Sequence, residues 1–330
     1  MTRSRTAAPA RAGLATEGSE VTARVPAKVN VQLAVGGLRP DGFHDLANVF
    51  LAVDLYDRVT ATPAAEAGPV VTVGGRDADR VPTDGSNLAA RAAVLLAERY
   101  GVAPAVRLHI DKDIPVAGGM AGGSADAAGA LLVCDALWGL GASREELLAL
   151  CAELGSDVPF SLVGGAALGR GRGERLTPLT VGGTFHWVFA VADGGLATPE
   201  VYRTCDRLRQ ERLGGADTGH VPDPEPSPAV LAALREGDAR ALAGALANDL
   251  QPAALALRPA LADVLAAGTE AGALAGLVSG SGPTCAFLVE DAAAAAAVAQ
   301  RLAASGTCRA ARTATGPAPG ATVVSGPGAA

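Results

Sequence analysis

The sequence predicts an α+β protein with two domains. Its 330 residues exceed the usual size of a single hydrophobic core. Alternating segments typical of strands are mixed with segments of helical periodicity, and a glycine-rich turn joins one such strand to a helix. We expect a disordered tail, an N-terminal domain, a C-terminal domain and a mostly flexible tail over residues 1–20, 21–175, 176–312 and 313–330, respectively.

The composition limits the classes of function. The chain is 49% hydrophobic with a formal net charge of −7, which is typical of a soluble globular protein. No apolar run reaches the roughly 18 residues of a transmembrane helix. The acidic balance, without a basic stripe carrying aromatic residues, argues against a nucleic-acid partner. We expect a small-molecule partner, with neither nucleic acid nor membrane, and the sequence leaves the oligomeric state open.

The cysteines indicate a reducing compartment. The five cysteines are scattered and never form a C-x-x-C pair, which favours free thiols over a disulfide framework or a zinc site. The first twenty residues carry three arginines but lack the apolar centre of a signal peptide. We therefore expect a cytoplasmic protein.

Strands open the N-terminal domain. Residues 21–33 alternate apolar and polar side chains and are interrupted at Pro26, which predicts a kinked strand. Residues 36–44 are rich in turn formers. Strand character returns at 49–53 and again at 70–73.

Three helices follow these strands. A capped helix is predicted over 88–99. After a strand over 106–110 and the glycine-rich turn, apolar residues recur at helical spacings, which predicts a second helix. Ser143 and Glu146 form a capping box for a third helix, which ends at Gly155.

A crossover over residues 173–181 leads into the C-terminal domain. Strands are predicted over 187–191, 276–278, 285–290 and, late in the chain, 321–324. Helices are predicted over 198–212, 228–236, 239–248, 258–270 and 291–304.

The glycine-rich turn is the candidate phosphate site. Residues 115–128 read PVAGGMAGGSADAA. Without Cβ atoms, backbone N–H groups can close on phosphate oxygens, and the following helix dipole favours the negative charge. The turn lacks the lysine of a Walker loop and the G-x-G-x-x-G pattern. A chance cluster in a glycine-rich chain is the alternative, but the order strand, proline, glycines, serine, helix favours phosphate binding.

Asp157 and Lys28 are the candidate catalytic residues. Asp157 lies just past a helix end between apolar neighbours, where a carboxylate can take a proton from a hydroxyl. The alternative is an aspartate that forms a turn or caps the segment after Pro159. Lys28 and Asn30 point to the same side of their strand, toward either a cleft or solvent.

Several other polar and aromatic residues have two interpretations. Phe43 and His44 belong to the turn DGFH, and they offer a ring that stacks on a base and a group that contacts its edge. Asn87 is either a helix cap or a polar contact. Lys112 either reaches a nucleotide or is solvated at a strand end. The turn at 279–282 either connects two strands or presents further N–H groups to phosphates.

Several motifs together carry a resemblance to a known family. The loop at 115–128 resembles the phosphate-binding motif of GHMP kinases (galactose, homoserine, mevalonate and phosphomevalonate kinases). With the segments PAKVN, RPDGFH, GSDVPF and SGSGPTC, the chain is similar to the 4-diphosphocytidyl-2-C-methyl-D-erythritol kinases. The match covers about residues 21–290 in the same order. It implies a GHMP kinase fold, with an N-terminal domain like the second domain of ribosomal protein S5, a ferredoxin-like C-terminal domain and an active cleft between them.

The resemblance also implies site residues. Asp157 is the base that takes the proton of the substrate hydroxyl, and Lys28 beside it keeps that carboxylate ionised. Phe43 stands where the family usually has Tyr, so the stacking ring is kept and the hydroxyl is lost. The residues implied to hold the cytidine substrate are Asn30, Phe43, His44, Thr198 and Tyr202. Those implied to hold the nucleotide are Asn87, Lys112, Pro115, Val116, Ala117, Gly118, Gly119, Met120, Ala121, Gly122, Gly123, Ser124 and Ala125.

The implied activity is ATP-dependent phosphorylation of the 2-hydroxyl of 4-diphosphocytidyl-2-C-methyl-D-erythritol in the non-mevalonate route to isoprenoids. Mg²⁺ is expected with ATP because phosphoryl transfer needs the phosphate charge neutralised. No cluster identifies its protein ligand, and the Ser124 hydroxyl is one candidate. The alternatives are another GHMP kinase, for homoserine or a mevalonate, which needs no stacking residues for a base, and a non-catalytic nucleotide- or RNA-binding module, which needs neither Lys28 nor Asp157.

Overall fold

The computed structural model describes residues 20–116, 118–212 and 221–326. The predicted tail over 1–20 lies almost wholly outside these ranges, as does Ala117 of the glycine loop. The strands are β1 (Val21–Leu38), β2 (His44–Pro63), β3 (Val70–Gly75), β4 (Val106–Lys112), β5 (Ala166–Arg170), β6 (Arg175–Pro178), β7 (Phe185–Val191), β8 (Ala247–Asn248), β9 (Ala275–Val278), β10 (Cys285–Val289), β11 (Ala310–Gly316) and β12 (Thr322–Ser325). The helices are α1 (Leu88–Tyr100), α2 (Gly122–Trp138), α3 (Arg144–Leu154), α4 (Val158–Val163), α5 (Thr198–Arg212), α6 (Pro228–Glu236), α7 (Ala239–Ala245), α8 (Gln251–Leu257), α9 (Leu261–Glu270) and α10 (Ala292–Ser305), with a short 3-10 helix at Ala78–Arg80.

The first sheet is built around a long antiparallel pair of strands, β1 and β2. Its strand order is β12-β1-β2-β4-β3, and β5 with β6 extends from β2. Helix α2 packs on β1 and β2, and α1 packs on α2. In β4, Val106, Leu108 and Ile110 are fully buried while the alternate residues are exposed, because successive side chains of a strand point to opposite faces.

Strand β1 is buried on both faces along the segment that carries the site. Ala27 and Val29 are fully buried in the core. On the opposite face, Lys28, Asn30 and Gln32 form a polar row with 4%, 1% and 6% exposure. The pairing with β2 shifts register after Pro26, where the sequence predicted a kink. The alternation of β1 therefore turns a row of polar groups toward the space beside the glycine loop.

The second sheet has four antiparallel strands in the order β11-β7-β10-β9. In chain order these strands and their helices form the split βαβ arrangement of a ferredoxin-like domain. Trp187, Phe189 and Phe287 fill its two faces and are fully buried. The predicted two-part α+β fold is confirmed. None of the helices in the described ranges has the length and apolar content of a transmembrane segment.

The mostly flexible tail expected over residues 313–330 is wrong as far as residue 326, whereas the late strand predicted over 321–324 is present as β12. Strand β11 runs to Gly316 inside the second sheet, and β12 pairs with β1 through Thr322 and Val323. Between them, the Ala318 N–H donates to the Ala52 carbonyl. The glycine and proline content suggested a loose end, but the edge of β1 offers unpaired backbone groups that hold it.

Candidate active site

The centre of the site is the ion pair between Lys28 and Asp157. Lys28 Nζ lies 3.6 Å from Asp157 Oδ2, and it donates to Asn30 Oδ1 at 2.6 Å and to the Gly119 carbonyl at 2.7 Å. Burial lowers the pKa of Lys28, and the charge of Asp157 partly offsets this effect. Asn30 Nδ2 donates in turn to Asn48 Oδ1 at 2.7 Å. The ammonium is therefore fixed on three sides.

The Asp157 carboxylate is not used by its own helix. Asp157 occupies the position before α4, but its side chain makes no capping hydrogen bond. Its side chain is 32% exposed, whereas that of Lys28 is 5% exposed. The cap alternative raised by the sequence is thus wrong at this residue, and the carboxylate faces Lys28 at the edge of solvent.

The described glycine loop forms the floor beside this pair. Gly119 and Ala121 have φ of +74° and +62°, and the left-handed Ala121 is the kind of backbone outlier that concentrates at functional sites. Helix α2 begins at Gly122 with no side-chain cap. Since no side chain of the described residues caps this helix, its start meets a condition for binding an anion at a helix N-terminus.

The remaining loop residues divide between packing and the open side. Met120 is fully buried, and its carbonyl accepts from the Lys28 N–H. Pro115, Gly118, Gly122 and Ala125 are also buried, whereas Val116, Ser124 and the exposed Gly123 remain partly or wholly accessible.

The turn at residues 279–282 packs against the glycine loop. Ser279 Oγ donates to the Gly119 carbonyl at 3.1 Å. Thr198 Oγ1 lies 2.9 Å from Ser281 Oγ, which brings the start of α5 to the same turn. A Cβ on Gly280 would lie 3.3 Å from Lys28 Nζ. The two halves of the chain therefore meet at Lys28.

A cavity of about 300 Å³ opens beside the loop. Val81, Pro82, Leu88 and Val116 give it apolar walls, and Asn87 and Lys112 line it too. Asn87 is 3% exposed; its Oδ1 caps α1 by accepting from the Ala89 N–H, and its Nδ2 donates to the Pro82 carbonyl. Asn87 thus proves to be a helix cap that also lines a cavity.

Lys112 is not solvated at its strand end. It is 2% exposed, and Nζ pairs with Asp57 and, at 2.8 Å, with Asp126. Burial alone would lower the pKa of Lys112, but the charges of Asp126 and Asp57 outweigh it and raise that pKa. A Cβ on Gly122 would lie 3.1 Å from Nζ, so this cluster supports the loop from below.

An aromatic cluster lies between the start of β2 and α5. The rings of His44 and Tyr202 stack with centroids 5.0 Å apart. His44 Nε2 lies 3.0 Å from both carboxylate oxygens of Asp206. Phe43 is 47% exposed, and the Arg172 guanidinium lies over its ring. His44 and Tyr202 are thus brought together, while Phe43 lies apart on the surface.

Sequence reasoning missed three supporting residues. Asn48 holds Asn30, Asp206 holds His44, and Asp57 pairs with Lys112 and accepts the N–H groups of residues 113 and 114. Asn48 is a polar residue inside an apolar strand, and Asp206 lies one helical turn after Tyr202. The sequence patterns around Asn48 and Asp206 could have indicated these two residues. No pattern indicates the contact of Asp57 with Lys112, which lies 55 positions away.

In the described part of the chain, no group of three or more His, Cys, Asp and Glu side chains could hold a metal ion. Mg²⁺ prefers oxygen ligands and often keeps most of its shell from water and substrate phosphates. The Asp157 side chain is 32% exposed and Ser124 is partly accessible, so their oxygens could approach a Mg²⁺ carried by phosphates.

Comparisons with known proteins agree with this architecture. Residues 87–165 match the family "GHMP kinases N terminal domain", and residues 230–308 match "GHMP kinases C terminal". The homoserine kinase of Cytophaga hutchinsonii shares the fold, with a TM-score of 0.69 at 19% identity over 93% of this chain and 98% of that one.

The relatives with higher sequence identity are all kinases of one kind. The chain is 71% identical to a 4-diphosphocytidyl-2-C-methyl-D-erythritol kinase of Streptomyces avermitilis over 92% of this chain and 99% of that protein. It is 59% identical to the kinase of the same name from Thermobifida fusca, over 93% of this chain and 99% of that protein. A crystal structure of 4-(cytidine 5'-diphospho)-2C-methyl-D-erythritol kinase has a TM-score of 0.70 at 34% identity, over 89% of this chain and 98% of that one. The chain therefore belongs to the 4-diphosphocytidyl-2-C-methyl-D-erythritol kinases, a family of GHMP kinases.

Proposed function

We propose that this chain transfers the γ-phosphoryl group of ATP to the 2-hydroxyl of 4-diphosphocytidyl-2-C-methyl-D-erythritol. The observation that carries the proposal is the Lys28–Asp157 pair beside an uncapped helix N-terminus. A base, a cation and an anion site at one point are the parts that phosphoryl transfer requires. The names of the relatives supply the acceptor.

In this mechanism Asp157 accepts the proton of the acceptor hydroxyl as its oxygen attacks the γ-phosphorus. The bond between that phosphorus and the bridging oxygen breaks, and ADP leaves with the electron pair. Lys28, 3.6 Å from Asp157, favours negative charge on the attacking oxygen. Asn30 and the Gly119 carbonyl hold the ammonium in place, so its position needs no rearrangement during the reaction.

ATP is assigned to the glycine loop and the adjoining cavity. The N–H groups at the start of α2 would hold the triphosphate, and the apolar walls around Val81 and Leu88 would take the base. We propose that Mg²⁺ accompanies ATP and neutralises the phosphates when bound, with Ser124 and Asp157 as the nearby oxygen donors. Lys112 acts from below the loop through its buried ion pairs rather than as a free cation.

The cytidine end is assigned to the aromatic cluster. Tyr202 offers a ring for stacking and His44 a ring nitrogen for an edge of the base. Asn30 and Thr198 lie between this cluster and the glycine loop, where the diphosphate and the sugar alcohol would pass. Phe43 is 47% exposed, and its ring would be available to cover the base from the solvent side.

The proposed compartment is the cytoplasm, on the ground that all five cysteines are free and four are buried. Free thiols are typical of proteins kept in a reducing environment.

The test of the function is a comparison of acceptors. ADP release is measured with the cytidine compound, with homoserine and with mevalonate at equal concentrations. We expect turnover with the cytidine compound alone, because the other two have no base for His44 and Tyr202. Turnover of homoserine or mevalonate at a similar kcat/KM would overturn the proposal, and absence of ADP release with all three would support a non-catalytic nucleotide-binding module.

A further inference from the structure

One ion pair outside the Lys28–Asp157 centre joins the second sheet to the segment that leads into the wall of the proposed nucleotide cavity. Asp77 Oδ2 lies 2.6 Å from Arg309 Nη2, and the second oxygen pairs with Nη1. The Asp77 side chain is 11% exposed and that of Arg309 30%. Bidentate charge-assisted pairs with little exposure are the strong kind, unlike the usual surface ion pair.

Asp77 is also a backbone outlier. Its φ is +54°, a left-handed conformation that an aspartate adopts at some cost. Such outliers persist only where the surroundings hold them. Here the preceding Arg76 N–H donates to the Lys112 carbonyl at 2.7 Å, and the 3-10 helix Ala78–Arg80 begins directly after Asp77.

The segment that Asp77 starts becomes a wall of the cavity. Arg80, Val81 and Pro82 line it, and Val116 lines it from the glycine loop. The pKa of Asp77 is lowered chiefly by hydrogen bonds from Arg309, with a smaller effect of the Val116 N–H. The carboxylate thus lies near both the wall and the first residues of the loop.

Arg309 is itself anchored in the other half of the chain. Its N–H donates to the Val191 carbonyl at the end of β7, and its Nε lies 3.6 Å from Asp193 Oδ1. These contacts hold the Arg309 guanidinium in place at the end of strand β7 in the second sheet.

We propose that Asp77 and Arg309 are positioning residues for ATP, which hold the 77–82 wall and the start of the glycine loop at the spacing that the nucleotide requires. The inference rests on the proposed assignment of this cavity to ATP. A merely structural role would lower thermal stability without selectively changing nucleotide affinity.

The experiment measures the Kd of a non-hydrolysable ATP analogue by calorimetry, together with kcat, both KM values and Tm. In Asp77→Asn the new side chain still tolerates the left-handed backbone but has no charge. In Asp77→Gly the backbone strain is relieved and the carboxylate is removed. Both should raise the Kd and the KM for ATP about 5- to 30-fold, as expected for loss of 1–2 kcal/mol. The acceptor KM should stay within twofold.

Two controls match these variants. Asp79→Asn removes a like charge from the same short helix, where Asp79 is exposed. Arg301→Gln changes an arginine of α10 whose guanidinium donates to the Ala271 carbonyl. Neither should change the Kd for nucleotide. Arg309→Gln should reproduce the effect of Asp77→Asn, and the double variant should add little to either.

An unchanged nucleotide Kd in Asp77→Gly and Arg309→Gln would overturn the proposal, whatever happens to Tm. If Asp77→Asn fails to fold, the partly exposed Arg309 carries the same test. Nucleotide binding is measured without an acceptor, so this result is independent of whether the cytidine compound is the substrate.

Discussion

Gly119→Ala is the substitution whose effect follows most directly from the geometry. Gly119 has φ of +74°, and an alanine there costs roughly 1–2 kcal/mol in strain. In addition, its Cβ would lie 2.0 Å from the Ser279 carbonyl oxygen, whereas ordinary contacts begin at 3.4 Å. The glycine loop and the Ser279 turn must therefore separate by about 1 Å or more, and a displacement of that size costs on the order of 10²-fold in rate when reacting groups are misplaced.

The displacement falls on Lys28, because the Gly119 carbonyl accepts from Lys28 Nζ. Gly139→Ala is the matched control: its φ is +61°, and nothing lies within 4 Å of the added Cβ. Both variants should lose stability from backbone strain, measured by urea unfolding, and Gly119→Ala should lose more because its Cβ also meets the Ser279 carbonyl. Only Gly119→Ala should lose on the order of 10²-fold in kcat at saturating substrates. Equal kcat in the two variants would refute the inferred coupling of the loop to Lys28.

Tyr202→Ala should raise the KM for the cytidine acceptor roughly 5- to 150-fold through loss of stacking, with ATP affinity unchanged. The control Arg203→Ala, on the exposed side of the same helix turn, should leave both the acceptor KM and the ATP affinity unchanged. An unchanged acceptor KM in Tyr202→Ala would show that the base binds elsewhere. His44→Ala should reduce the preference for cytidine over uridine acceptors, measured as a ratio of kcat/KM; an unaltered ratio would exclude His44 from base reading. Burial raises the pKa of Asp126 from 3.8 to about 7, against the opposing charge of Lys112. Between these two pKa values the folded state therefore holds a proton that the unfolded state has lost, and the free energy of unfolding should fall as pH rises from about 4 to about 7. Asp126→Asn should flatten that fall in urea titrations at several pH values, and an identical slope in the variant would contradict the assigned pKa.

The local parts of this structure were predictable from the sequence. The capping box of Ser143 and Glu146 is present, because both partners lie within one helical turn. Lys28 and Asn30 share a face because a strand has a period of two. The positions of glycine and proline residues predicted the bounds of α5 and α6 that the structure shows.

The parts that the sequence could not show are contacts between distant residues. The pairing of β12 with β1 joins residues about 300 positions apart, and the short strand β8 joins the first sheet from within the C-terminal part. The predicted boundary at residue 175 lies inside this arrangement, since β6 runs from Arg175 to Pro178 in the first sheet.

The same limit applies to the site. From the sequence, Lys112 could be either a nucleotide contact or a solvated lysine at a strand end. Neither interpretation included its buried ion pairs with Asp57 and Asp126. Asp57 is remote in sequence from both partners, and an aspartate inside a strand carries no motif of its own. Likewise the DGFH turn indicated Phe43 and His44 together, but only tertiary packing decides that His44 is buried against Tyr202 while Phe43 remains exposed.

The most direct test of the Lys28–Asp157 mechanism is the single-turnover rate of phosphoryl transfer in Asp157→Asn, measured by rapid quench with both substrates bound. The asparagine keeps the size of the side chain and cannot accept the proton. We predict a rate lower by on the order of 10²–10⁴, with the Kd values of the ATP analogue and the acceptor within a few-fold of wild type. A variant that retains more than about a tenth of the wild-type transfer rate would contradict the assignment of Asp157 as the base.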